Sequence, residues 1–224
     1  MRKLVAEFAG TALLLIGVVG SGIMAERLSP ADVGLQLFQN AAATAGVLYA
    51  VILMFGPASG AHFNPAVTLA DWALGDFPRR HIVPYVVVQV AGAVTGTVLA
   101  NLMFDLDAVD WSSRDRSAGH LWLGVAIATA GLVVLIFSLV RTGRARHAAG
   151  AVAAYIGGAY YFTSSTSFAN PAVTVGRMFS DTFAGIEPSS APMFIVMQIA
   201  GLVAALALIR FVYPQDKPAG TPVS

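Results

Sequence analysis

"GAHFNPAVTLAD" at Gly60–Asp71 returns about a hundred residues later as "TSFANPAVTVGR" at Thr166–Arg177. Five residues, Asn-Pro-Ala-Val-Thr, are identical in the two stretches, and both stretches lie within oily surroundings. Asn is among the strongest N-cap residues, and Pro is favoured at the first helical position because the N–H it lacks would be unpaired there anyway. Each copy therefore reads as an abrupt helix start inside apolar sequence. The elements so opened, about 64–75 and 170–181, would each reach only about half of a ~30 Å hydrocarbon core at 1.5 Å per residue.

The rest of the chain supplies that core. Of 224 residues, 57% are hydrophobic and 11% charged, and the mean hydropathy is +0.72. A soluble domain carries roughly 25% charged residues, so lipid is the expected solvent. Apolar stretches at about 4–24, 34–56, 81–104, 119–140, 147–166 and 190–212 predict six crossings of roughly 20 residues each. The opening "MRKLVAEFAGTALLLIGVVGSG" has the outline of a signal peptide. Glu7 within the apolar run, and the comparable runs that follow, favour a retained span. No cysteine is present, so disulfides, thiolate metal sites and Cys nucleophiles are excluded. Four scattered histidines form no metal cluster. No cofactor, metal, enzymatic activity or nucleic-acid partner is expected.

Lys and Arg set the orientation. With the N-terminus inside, Arg2, Lys3, Arg79, Arg80, Arg141, Arg144, Arg146, Arg210 and Lys217 face the cytoplasm, nine of the 13 basic residues. Both termini are then cytoplasmic, in the plasma (inner) membrane. Three spans, an odd number, separate the two motifs, so the half-helices enter from opposite faces. The expected architecture is all-α: six transmembrane helices plus two half-helices in an inverted repeat, which places a solute site near the midplane. One channel domain spans 1–213, with repeats at about 4–104 and 119–212. The tail 214–224 carries too little apolar content to fold.

Irregular backbone at membrane depth survives only inside protein or beside a water-filled cavity. Two helix N-termini converging there each contribute about half a positive charge. At about 4 Å and an effective dielectric near 20 they oppose a cation by roughly 4 kcal/mol, close to a thousandfold. A neutral hydroxylated solute meets no such barrier and finds donors in the Asn64 and Asn170 amides.

The paired motifs Asn64-Pro65-Ala66 and Asn170-Pro171-Ala172, with "AEFAGT" (Ala6–Thr11), "SGAHFNPAVT" (Ser59–Thr68) and "PYVVVQVAGA" (Pro84–Ala93), resemble the aquaporin, or major intrinsic protein, family over about 4–212. The resemblance implies a passive channel assembled as a homotetramer in the lipid bilayer, with one pore per subunit. Most members follow the second motif with Arg at the narrowest ring of the pore. Here that position is Val173, and ungapped counting puts the other ring positions at Thr44, Gly158 and Ser167, with Ala45 or Leu48 as alternatives to Thr44. Such a ring is wide and lacks a cation. NPAV in place of NPAR also resembles an arsenic-resistance-associated bacterial branch. Glycerol, urea, metalloid hydroxides such as arsenous acid, and water are the candidate solutes.

Arg177, one turn beyond Val173, either leans back toward the ring, as helical side chains do, or pairs with Asp181 at i+4. Glu7, an intramembrane charge, marks function or a buried partner network. By the resemblance it accepts hydrogen bonds from the loop carrying the first motif. The matching place in the second half, about Val125 or Ala126, lacks an acid, and the hydroxyls of "YYFTSSTSF" (Tyr160–Phe168) are the candidate substitutes. His62 is expected at the cytoplasmic mouth, as a pore-lining donor or a pH gate. Gly92 and Gly96 read as helix-packing sites. Competing functions are a predominantly water-conducting pore and an ion-coupled secondary transporter. The second would need intramembrane carboxylates, and Glu7 alone is offered.

Overall fold

A computed structural model describes residues 1–214, and among them every regular element is helical. The expected tail lies outside the described residues from 215 onward. In chain order the helices are α1 (Arg2–Leu28), α2 (Val33–Ser59), α3 (Pro65–Leu74), α4 (Ile82–Met103), α5 (Gly119–Arg141), α6 (Ala148–Phe162), α7 (Pro171–Gly176) and α8 (Ala191–Val212). The two motifs open α3 and α7, with Asn64 and Asn170 as N-caps in extended backbone and Pro at the first helical position.

Two sets of contacts repeat. In the first half α1 packs on α2 and α4, and in the second α5 packs on α6 and α8. The half-helices cross over, α3 touching α8 and α7 touching α4. Glycine makes both tight pairings. A Cβ on Gly92 would come within 2.4 Å of the Phe8 carbonyl oxygen, and one on Gly96 within 2.2 Å of that of Ala12. In the second half a Cβ on Gly201 would stand 2.3 Å from the Ala126 carbonyl oxygen. Backbones this close gain van der Waals contact that lipid cannot supply. The packing reading of Gly92 and Gly96 agrees with these contacts.

Five helices are long and apolar enough to cross a membrane by length and composition. The sixth, α6, has 15 residues, shorter than the expected 147–166. It stops at Phe162 because the next residues bond differently. Thr163 turns its hydroxyl back to the Ala159 carbonyl and also accepts the Ser167 N–H, while Thr166 and Ser167 adopt φ of 58° and 63°. The second half-helix is likewise shorter than 170–181. It ends at Gly176 and tightens into a 3₁₀ turn at Arg177–Phe179, where the Arg177 carbonyl accepts from Ile186 N–H and turns the chain back.

Candidate functional site

Each asparagine caps its own helix and clasps the opposite loop. Asn64 Oδ1 accepts from Ala66 N–H at 2.8 Å, and Asn170 Oδ1 from Ala172 N–H at 3.0 Å and Val173 N–H at 3.3 Å. With the oxygens committed inward, the nitrogens point across. Asn64 Nδ2 donates to the Ala169 carbonyl at 2.8 Å, and Asn170 Nδ2 donates to the Phe63 carbonyl at 2.7 Å. A primary amide has two N–H donors, so each asparagine keeps one for the cavity that both side chains line.

The threonine of each motif completes the cap. Thr68 and Thr174 donate to the Asn64 and Asn170 carbonyls at 3.1 and 3.0 Å. Gln89 and Gln198 in turn donate to those hydroxyls at 3.1 and 2.9 Å. Neither glutamine was expected as part of the site. The signal was a second echo, "QVAG" at 89–92 and "QIAG" at 198–201.

The loops leading to the motifs carry strained backbone. Ala61 and Ser167, each three residues before its asparagine, have φ of 50° and 63°, and Phe63 has 48°. Non-glycine residues hold such values only when their surroundings over-determine them. In the first loop Glu7 does this. Fully buried, it accepts from Ser59 Oγ (2.6 Å), His62 N–H (3.0 Å), Phe63 N–H (2.7 Å) and Gln89 Nε2 (2.8 Å). In the second loop the Thr163 hydroxyl holds Ser167, and the equivalent of Glu7, Val125, packs in an apolar cluster with Phe168, Ile186, Ala191 and Phe194.

A cavity of about 270 Å³ runs past both asparagines. One wall is apolar: Leu14, Val18, Leu48, Leu132, Val152 and Ile156 contribute to it. At one end stand His62, Asp71 and Asp76; toward the other stand Thr44, Tyr160, Ser167, Val173 and Arg177. His62 Nε2 lies 3.2 Å from Asp71 Oδ2 and its Nδ1 lies 3.1 Å from Thr68 Oγ1, so the ring is tied on both sides.

Three of the four expected ring residues line this cavity. Gly158 does not, and that expectation is corrected. It is exposed on the outer face of α6, where an added Cβ would meet only Phe162, at 3.7 Å. Helical periodicity turns residue 158 away while 156 and 160, four apart, share the inner face. From the inner face Tyr160 lines the cavity, its hydroxyl 3.1 Å from Thr44 Oγ1. Thr44 itself lines the cavity and is buried, as is Leu48, whereas Ala45 is not among the lining residues. The alternative pairing of Arg177 with Asp181 is also not found. Asp181 accepts from Ser113 N–H and Oγ, while Arg177 turns inward, 2% exposed, and its Nε donates to the Ala184 carbonyl.

Comparison with known proteins agrees with this geometry. The sequence model of the major intrinsic protein family matches residues 1–167.

The chain belongs to the major intrinsic protein family.

It is therefore an integral membrane protein and a channel for small neutral solutes. The chain is similar to the aquaglyceroporin AqpS of Rhizobium meliloti, with 46% identity across 97% of this chain and 92% of that protein. It is also similar to the probable aquaporin AqpM of Archaeoglobus fulgidus, with 30% identity across 94% and 96% of the two chains. The X-ray structure of the aquaglyceroporin from Plasmodium falciparum superposes with a TM-score of 0.72 at 22% identity, covering 95% of each chain, a likeness of fold. The chain carries both Asn-Pro-Ala motifs, and Val173 follows the second.

Proposed function

We propose that this channel passes small uncharged molecules bearing several hydroxyl or amide groups, with glycerol the reference solute and urea, arsenous acid and water beside it. The observation that carries the reading is the cavity's two-sidedness. One asparagine N–H from each half-helix faces a bore whose opposite wall is aliphatic. A polyol satisfies both, hydrogen-bonding along one edge and laying C–H groups on the other. Pore diameter, lining donors and electrostatic barriers set selectivity in such pores. The ring proposed here is Thr44, Tyr160, Ser167 and Val173, with Ser167 Oγ buried and without a hydrogen-bond partner among the described residues. The names of relatives support a solute larger than water: aquaglyceroporin for the Rhizobium meliloti protein, and propanediol uptake facilitator for a Citrobacter freundii protein 42% identical over 100 residues, 45% of this chain and 36% of that one.

Passive flow, without ion coupling, is part of the proposal. Glu7 has all four of its donors within the protein and acts as the clasp of a loop. We place the chain in the plasma membrane as a homotetramer with both termini cytoplasmic, on the strength of the Lys/Arg distribution and the family. The His62 mouth is then cytoplasmic and the Arg177 mouth outer. We take domain limits of 1–213, with repeats at about 4–104 and 119–212, a reading supported by the paired contacts of α1 with α2 and α4 and of α5 with α6 and α8.

Swelling of proteoliposomes in glycerol and urea gradients, read by stopped-flow light scattering, tests the proposal, with arsenite uptake into cells as a second arm. Glycerol permeation no faster than through protein-free vesicles would remove it, and dependence on a proton or sodium gradient would replace it with a coupled transporter.

A further inference from the structure

The two loops are clasped by opposite charges. At the place where the first half has the buried carboxylate of Glu7, the second has Val125, and the buried cations at that end are Arg177 and, further from the cavity lining, Arg116. A buried charge is expected to be paired. Among the described residues the ion pairs are His62–Asp71 and Arg114–Glu26, so no carboxylate neutralises Arg177. Its guanidinium is held by neutral groups instead. Nε donates to the Ala184 carbonyl and Nη2 to Thr166 Oγ1 at 3.3 Å, and Cζ lies 3.7 Å from the centroid of the Phe168 ring. Arg116 approaches the same ring, with Cζ at 5.2 Å.

Phe168 is itself fully buried, and it meets Phe194 edge-on at 5.0 Å. The ring is thus fixed, and it fixes the plane of the guanidinium above it. A guanidinium carries five N–H donors. Two are occupied in the contacts above, and the side chain lines the pore cavity beside Ser167 and Val173. Resting on the channel reading, we propose that Arg177 is the fixed cation of the outer constriction and that Phe168 is its positioning residue. The charge reaches the bore from one helical turn beyond Val173, which leaves the ring wide while keeping it positive. Cations are then rejected twice, at the outer mouth and at the asparagine pair.

A unit charge that a passing cation approaches to about 6 Å, at an effective dielectric near 20, changes its entry by roughly a hundredfold. The test uses the full-length protein in proteoliposomes, reading sodium leak under a potassium diffusion potential alongside water and glycerol swelling. Arg177→Gln is expected to raise sodium leak by about that factor. Phe168→Leu, which removes the π face and leaves the charge, is expected to raise leak at least tenfold, whereas Phe168→Trp keeps the wild-type exclusion. That rescue by an aromatic separates positioning from simple packing. Wild-type exclusion in R177Q overturns the proposal. If R177Q fails to assemble, the Phe168 pair decides, and equal leak in the Leu and Trp variants overturns it. Loss of wild-type swelling would count against the channel reading itself and is read separately.

Discussion

The side-chain amide of Asn64 donates to the carbonyl of Ala169, 105 residues further along the chain, at 2.8 Å, and Asn170 returns the bond to Phe63 at 2.7 Å. The two bonds link loops from the two halves of the repeat. They also orient both amides, since each oxygen is already committed to its own helix cap. Donor geometry at the centre of the pore therefore follows from the cap and the clasp together.

Asn170→Asp keeps the cap oxygen but removes both N–H donors and adds a negative charge opposite the Phe63 carbonyl. Cation conductance is expected to rise by roughly a hundredfold or more, since one unit charge about 6 Å away at a dielectric near 20 shifts entry by that much. Planar-bilayer currents in sodium or potassium salts measure it. No new conductance would show that the centre of the pore contributes little to ion exclusion.

Val173→Arg places a second guanidinium a turn before Arg177 and fills the open side of the ring. Glycerol swelling should fall at least tenfold relative to water, a barrier rise of about 1.4 kcal/mol. An unchanged glycerol-to-water ratio would take residue 173 out of the selectivity ring.

Gly158→Ala and Tyr160→Phe test the corrected ring together. The first adds a methyl group on the exposed face of α6 and should leave every flux unchanged. The second deletes the hydroxyl beside Thr44, 3.1 Å away. A hydrogen bond of that kind is worth about 0.5–1.5 kcal/mol, so urea and glycerol fluxes are expected to change by roughly threefold to tenfold. The opposite result, with Gly158→Ala altering flux and Tyr160→Phe silent, would restore the ungapped alignment.

Glu7→Gln replaces an acceptor of four bonds by an amide with one oxygen and an N–H₂ group facing donors. Each buried donor left without an acceptor costs about 1–3 kcal/mol, so thermal unfolding in detergent should shift down by several degrees or more. Because the second loop has no such carboxylate, the weakened part should be the His62 end. Hydrogen exchange at Ala61–Phe63 is expected to speed up while Ser167–Ala169 stays protected.

The two half-helix starts were legible in the sequence. A capping residue followed by proline starts a helix by local bonding alone, so α3 and α7 could be placed within a residue at their N-termini. Glu7 stood out because a charge in a 27-residue apolar helix must have partners. The ring was less legible. Counting from the asparagines brought Thr44, Ser167 and Val173 to the cavity lining, but not Gly158, because the count crossed Thr163–Ala169, where two residues take left-handed backbone and helical spacing no longer holds. Phe168 and the two glutamines were missed for a related reason: their roles are contacts to residues far away in the chain.

The repeated motif and the scarcity of charge were enough to predict an all-helical membrane fold with two short helices opened by Asn-Pro, because capping and hydropathy are local properties, while α6 came out shorter than the span expected for it. Only the tertiary structure decided that Tyr160 rather than Gly158 faces the pore and that Arg177 stacks on Phe168 instead of pairing with Asp181. Those choices depend on which groups meet across the bundle once water is gone. A buried guanidinium settles where carbonyls, hydroxyls and an aromatic face converge, and that convergence comes from packing.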